Sequence, residues 1–274
     1  MFTSRSILLS VVVLAVPSLA QADFIAYVDL GGTNTQSTGN ARNLSVGTDG
    51  SGLEKTLVTD LVNYETGTTI SNASLTVVLT RPGTSPFANS GDSAWTPSPP
   101  VDSDARVLFM VDGVNLNGNL TYGGNTANTA TFTFSGLDPT RTYDFASTGN
   151  RASGSIDTAR KNRYQISDID SFVNASSDGA VISSTPSGMT NDAATFTVGN
   201  NDAGHVARFS SISPGSDGDF SITVTGGDAN GAVANVAWYV NALRLTEATA
   251  VVPEPASLSL LGVGLMAALR RRRA

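Results

Sequence analysis

Cysteine is absent from the 274 residues, and histidine occurs once, at His205. No disulfide framework, thiolate nucleophile or sulfur-ligated zinc can exist, and a metal centre built from several histidines is excluded. Charge is sparse at 14% of residues, and 16 Lys and Arg stand against 23 Asp and Glu. No stretch combines a basic stripe with interleaved aromatics, so nucleic acid finds no counter-charge to bind. Long apolar runs are missing from the interior and occur only near the two ends. Nor is there an internal repeat of solenoid or propeller period.

The first apolar run has the parts of a secretory signal over residues 1–22. Arg5 supplies positive charge, Ile7 to Val16 is apolar, Pro17 breaks the run, and Ala20-Gln21-Ala22 places small residues at a cleavage step. Cleavage after Ala22 leaves Asp23 at the new N-terminus. The last run differs. Pro253-Glu254-Pro255 is stiff and extended, Ala256 to Leu269 is apolar, and Arg270, Arg271, Arg272 and Arg273 close the segment. The arginines stay on the cytoplasmic side of a membrane by the positive-inside rule. The apolar part has 14 residues, short of the ~20 that span a bilayer core. A segment of this length makes a weak permanent anchor, which suits transient membrane contact followed by cutting.

These three parts, over residues 253–274, resemble the PEP-CTERM sorting signal. The resemblance implies an exosortase-type processing protease as partner, cleavage near Pro253-Glu254-Pro255, and delivery to the cell envelope or an exopolysaccharide matrix. Residues 248–252 read as a linker and residues 23–247 as a single body. Without Arg5, Arg270 to Arg273 and Glu254, that body keeps 11 basic and 22 acidic residues, a net charge near −11. Such a balance favours solubility and repels nucleic acid and anionic lipid. The body has enough length to bury one core, on which a cysteine-free exported protein depends.

Within the body, short alternating apolar runs are separated by Gly, Ser, Asn and Asp. Strands are expected at Phe24–Leu30, Leu75–Thr80, Arg106–Val111, Ala130–Phe134, Thr142–Ala146, Arg163–Ser167, Ala193–Val198, Val206–Phe209, Asp219–Thr225 and Trp238–Leu245. Phe220, Ile222 and Val224 alternate with Ser221, Thr223 and Thr225, which puts one face in a core and the other in water. Turns are marked by Gly136-Leu137-Asp138-Pro139 and Pro214-Gly215-Ser216-Asp217-Gly218. Leu53 to Tyr64 carries Leu53, Leu57 and Leu61 at helical spacing and is expected to be a helix. The fold class is all-β, an antiparallel β-sandwich of jelly-roll type, flanked by an N-terminal signal helix and a short C-terminal membrane helix. The order of Thr131–Tyr143, Gly149-Asn150-Arg151, Arg163–Ile166, His205–Val224 and Tyr239–Leu243 resembles an uncharacterised exported β-sandwich module similar to galactose-binding-like domains. No activity comes with that resemblance.

One constellation imitates an enzyme. Gly91-Asp92-Ser93, Gly199-x-Asn201-Asp202 and Asp202-x-x-His205 match the blocks of GDSL-type esterases, in which a serine needs a base and the base an orienting carboxylate. Two of these blocks share Asp202, whereas that family places them on separate loops. Ser93 also lies in a Ser/Pro-rich loop without a following helix. No catalytic residue is assigned, and the chain reads as a non-enzyme. No cofactor is assigned either, although Asp102-x-Asp104, Asp168-x-Asp170 and Asp217-x-Asp219 each offer two oxygens to a structural calcium; turn-forming Asp that bonds its own backbone also explains them. Sugar binding needs an aromatic face with convergent polar groups. Trp95 and Tyr122, with Arg151, Arg163 and Asn241, are the candidates, against the alternative that the arginines pair with Asp across strands. The expected function is a non-catalytic surface or matrix protein, with an exopolysaccharide-binding module as the alternative and an esterase third.

Overall fold

The computed structural model describes residues 24–31, 37–45, 54–80, 87–90, 98–122, 128–151, 160–185, 188–227 and 237–248. The signal and sorting segments, with the helices expected in them, lie outside these residues. Six strands form one sheet in the order β10 (Ile169–Asn174), β13 (Ala207–Pro214), β8 (Thr142–Thr148), β16 (Ala242–Ala248), β1 (Ile25–Asp29) and β2 (Arg42–Asn43). Seven form the other: β11 (Val181–Ser183), β12 (Ala193–Thr197), β9 (Lys161–Ser167), β14 (Phe220–Gly226), β7 (Thr129–Ser135), β4 (Thr69–Thr80) and β3 (Glu54–Val62). A small third sheet joins β15 (Trp238–Val240), β6 (Asn119–Tyr122) and β5 (Phe87–Ser90). Only β1 and β2 run parallel among these pairs.

The chain passes from one large sheet to the other between β7, β8, β9 and β10, and again between β12, β13 and β14. Their inner faces meet in a common core, so the architecture is a β-sandwich. Period-two alternation builds that core. Ala130, Phe132 and Phe134 of β7 and Phe220, Ile222 and Val224 of β14 are all buried, with Phe220 opposite Phe134 and Ile222 opposite Phe132. Phe134 stacks on Phe220 at 4.9 Å and meets Phe145 of the other sheet edge-on at 5.8 Å. The outer face, expected in water, is drier: Thr223 is half-buried and Ser221 is only 7% exposed. Its hydroxyl shares a 3.0 Å hydrogen bond with that of Thr133.

Two expectations are corrected. Residues 54–62 form strand β3, not a helix, and pair along β4 from Glu54 opposite Thr80 to Asp60 opposite Ser74. Thr56, Val58, Thr59 and Val62 are β-branched and suit a pleated surface better than a helix. Residues 106–111, expected as a strand, fall in a one-turn helix α1 (Asp104–Leu108) and a 3-10 turn (Met110–Asp112). The reason is packing: Ala105 and Phe109, four apart, are both buried, the period of a helix face. Together with Tyr27, Val114, Leu116 and Val206 they cover the outer face of the six-stranded sheet. The hydroxyl of Tyr27 donates to the Leu108 carbonyl at 3.1 Å and to the Asp112 carboxylate. Burial, helped by Asp112, holds that phenol well above its ordinary pKa.

Candidate functional site

Strand direction gives the sandwich two distinct ends. Strand β16 starts where Ala242 faces Asp29 and Thr148, and it finishes where Ala248 faces Thr142. Phe24 accepts a hydrogen bond from the Glu247 backbone N–H at 3.0 Å, so the first and last described strands meet at this second end. The chain leaves it for the tail. Seven residues of strand put roughly 20 Å between the two ends.

The tail-distal end is tied together by buried asparagines. Asn241 donates to the carbonyls of Leu116 and Gly118 at 2.7 and 2.8 Å and accepts from the Asn150 N–H at 2.6 Å. It is fully buried, which makes it a structural residue and corrects its assignment as a ligand contact. Asn162 clamps the backbone of Tyr239 from both sides, receiving its N–H at 3.1 Å and donating to its carbonyl at 2.5 Å. A β-carbon on Gly149 would stand 1.9 Å from that same carbonyl, so only glycine fits there. Asn201 holds the backbone of His205 through both its N–H and its carbonyl.

Above this knot lie two arginines. Arg151 donates to the Tyr239 hydroxyl at 3.0 Å, and Arg160 donates to the same oxygen. Their guanidinium carbons lie 5.3 and 5.8 Å from the Tyr239 ring centre. Both backbones are pinned to Val198: the Arg151 N–H donates to its carbonyl at 3.0 Å, and its N–H donates to the Arg160 carbonyl at 2.8 Å. Arg163 is not part of this group. It is half-buried on the outer face of the seven-stranded sheet, opposite Thr195 and Thr225, and its Nε is buried without a hydrogen-bond partner. Among the described residues neither Arg151 nor Arg163 pairs with an Asp across strands. Trp95 and the side chain of Tyr122 lie outside the described residues; the Tyr122 backbone pairs with Trp238 and Phe87.

The tail-proximal end holds an open cleft of about 580 Å³, lined by Phe24, Asn72, Leu137, Arg141, Tyr143 and Glu247 among others. Four of its polar residues are engaged with one another. Arg141 and Glu247 form an ion pair at 3.4 Å. The Tyr143 hydroxyl donates to the Asp138 carbonyl and accepts from its N–H at 3.2 and 2.9 Å. Burial pushes the Tyr143 phenol up to about 12.

The esterase-like residues are only partly described. Ser93 lies outside the described residues. Asp202 accepts from Asn200 at 2.6 Å, and the His205 ring packs edge-on against Phe196. Of the Asp pairs, Asp104 accepts from the Ser177 hydroxyl, Asp217 from the Asp219 N–H, and Asp219 from the Gly136 N–H and Ser135 hydroxyl. Among the described residues no group of three or more acidic or histidine side chains converges to hold a metal ion. No described helix is long and apolar enough to cross a membrane.

Residues 251–273 match the PEP-CTERM protein-sorting motif. The match begins just beyond β16, and such a tail implies processing by an exosortase and export to the cell envelope. No curated protein matches the chain. Arg160 and Tyr239 were missed in the sequence, although two arginines flanking a Gly/Ser-containing link in so acidic a chain were a usable signal.

Proposed function

We propose that this chain is an exported, non-catalytic protein of the cell surface or exopolysaccharide matrix, whose sandwich serves structure or adhesion. The observation that carries this reading is the sorting motif at residues 251–273 following a self-contained β-sandwich. The non-catalytic part is supported by Asp202 and His205, which engage Asn200 and Phe196 and form no base pair of the esterase kind. Cleavage after Ala22 removes the signal segment, and Ala256 to Leu269 tethers the chain in the membrane until exosortase cuts near Pro253-Glu254-Pro255. Replacing these three residues with alanine should leave unprocessed protein in the membrane, while deletion from Ala248 onward should release soluble protein to the medium. Fractionation and immunoblotting read both outcomes. Normal arrival of both variants in the matrix overturns the sorting reading.

A second reading, carbohydrate binding, is favoured by the arginines on Tyr239. They occupy the end of the sandwich opposite the tail, where a tethered protein presents its outermost surface.

A further inference from the structure

We propose that Arg151, Arg160 and Tyr239 form a carboxylate-binding site for an acidic polysaccharide, a polymer of uronic acid sugars. The proposal rests on the carbohydrate-binding reading and names its ligand class.

The first argument is electrostatic. Both guanidinium groups donate to one phenol oxygen, so their nitrogens lie within about 6 Å of each other. Like charges this close repel, and two other arginines at the protein surface, Arg141 and Arg208, are neutralised by Glu247 and Asp144. Among the described residues neither Arg151 nor Arg160 has a carboxylate partner. In a body with a net charge near −11, two adjacent cations with no anion on them among the described residues are poised for an external one.

The second argument is preorganisation. The shared attachment to Val198 fixes both backbones, and Tyr239 is itself immobilised by Asn162 and by the close approach of Gly149. Each guanidinium carries five N–H donors in a planar fork and gives one to Tyr239. The donors left over match the two oxygens of a carboxylate. Both arginines are half-buried rather than extended into water, which lessens screening of an ion held between them. The negative remainder of the surface repels a polyanion, so attachment is confined to this spot. Nucleic acid would need a longer basic track than two residues.

The test is affinity electrophoresis of the full chain through gels containing polygalacturonate or neutral dextran, with inorganic phosphate as competitor. Retardation is expected in polygalacturonate only, weakening as salt rises, and unaffected by phosphate at a concentration matched to the uronate units. Arg151→Gln with Arg160→Gln should weaken it by about tenfold or more, with melting unchanged because no described carboxylate loses a partner and the glutamine amides can still donate to Tyr239. Should the double variant fail to fold, Arg160→Gln alone should still weaken retardation measurably. Equal retardation in dextran, displacement by phosphate, or retardation indifferent to the arginines overturns the site. Indifference to the arginines with retardation in dextran would keep sugar binding while refuting the anion site, and none of these outcomes bears on tail processing.

Discussion

Replacing Asn241 with alanine tests whether the asparagine knot holds the tail-distal end in place. The side chain is fully buried, and its loss strands the Leu116 and Gly118 carbonyls and the Asn150 N–H. Each buried polar group left without a partner costs about 1–3 kcal/mol. Three of them, with some rehydration as the loops part, give a loss of about 3–6 kcal/mol, against a total stability of about 5–15 kcal/mol. For a body of this size the melting temperature should fall by roughly 6–24 °C. Unfolding in urea or on heating can be followed by fluorescence of Trp238, which is buried with its indole N–H on the Asn128 carbonyl at 3.1 Å. Asn241→Asp is the sharper companion. It keeps the acceptor for Asn150 but sets a carboxylate against two carbonyl oxygens, so at neutral pH it should cost at least as much as alanine. A loss under about 1 kcal/mol for alanine would mean that these backbone groups find other partners, and the knot would not be what orders this end.

Phe132→Ala should cost about 3–5 kcal/mol, whereas Thr223→Ala on the outer face should cost under about 1 kcal/mol; equal losses in chemical denaturation would contradict a half-buried sheet. Asp29 supplies a pH signature. It is buried and accepts from Gly31 N–H and from both the N–H and hydroxyl of Ser37 at 2.6–2.7 Å, yet burial still leaves its carboxyl above the ordinary value of 3.8. Because the folded form holds the proton more tightly than the unfolded form, its contribution is full below the ordinary carboxylate range. It is lost as pH rises through the raised value. The unfolding free energy of Asp29→Asn minus that of the unsubstituted protein should therefore climb from acid toward neutral pH, and a flat or falling difference would refute the assignment.

The strands that read most clearly in the sequence are those with one wet face. Phe220, Ile222 and Val224 alternate with hydroxyl residues, and Ala130, Phe132 and Phe134 alternate with threonines, so period two is visible without the partner strand. Strand β3 was misread because Leu53, Leu57 and Leu61 also satisfy a period of four. The choice is made by the 12-residue β4 beside it, a contact that no local window contains. Around Phe109 the error ran the other way. A single helical turn offers too few residues for its period to stand out, and the sheet face it covers is distant in sequence. Arg151 was legible as a polar candidate, but its partners were not. Tyr239 arrives 88 positions later through the pairing of other strands, and Asn241 became a structural residue only once Leu116 and Gly118 were beside it.

The pairing of β1 with β16 also fixes an order of events during biogenesis. Strand β16 is the inner strand between β1 and β8, and it is the last described strand to be synthesised. Until it arrives, the edges of β1 and β8 stay open, each a template for wrong partners. The final sheet depends on contacts between the first and last described strands, far apart in sequence, the kind that form slowly. Folding is therefore completed only when the residues bordering the sorting motif have emerged. A chain truncated anywhere before Ala242 should accumulate as aggregate rather than as a smaller folded unit, which makes the last strand a built-in check that the whole body has been delivered.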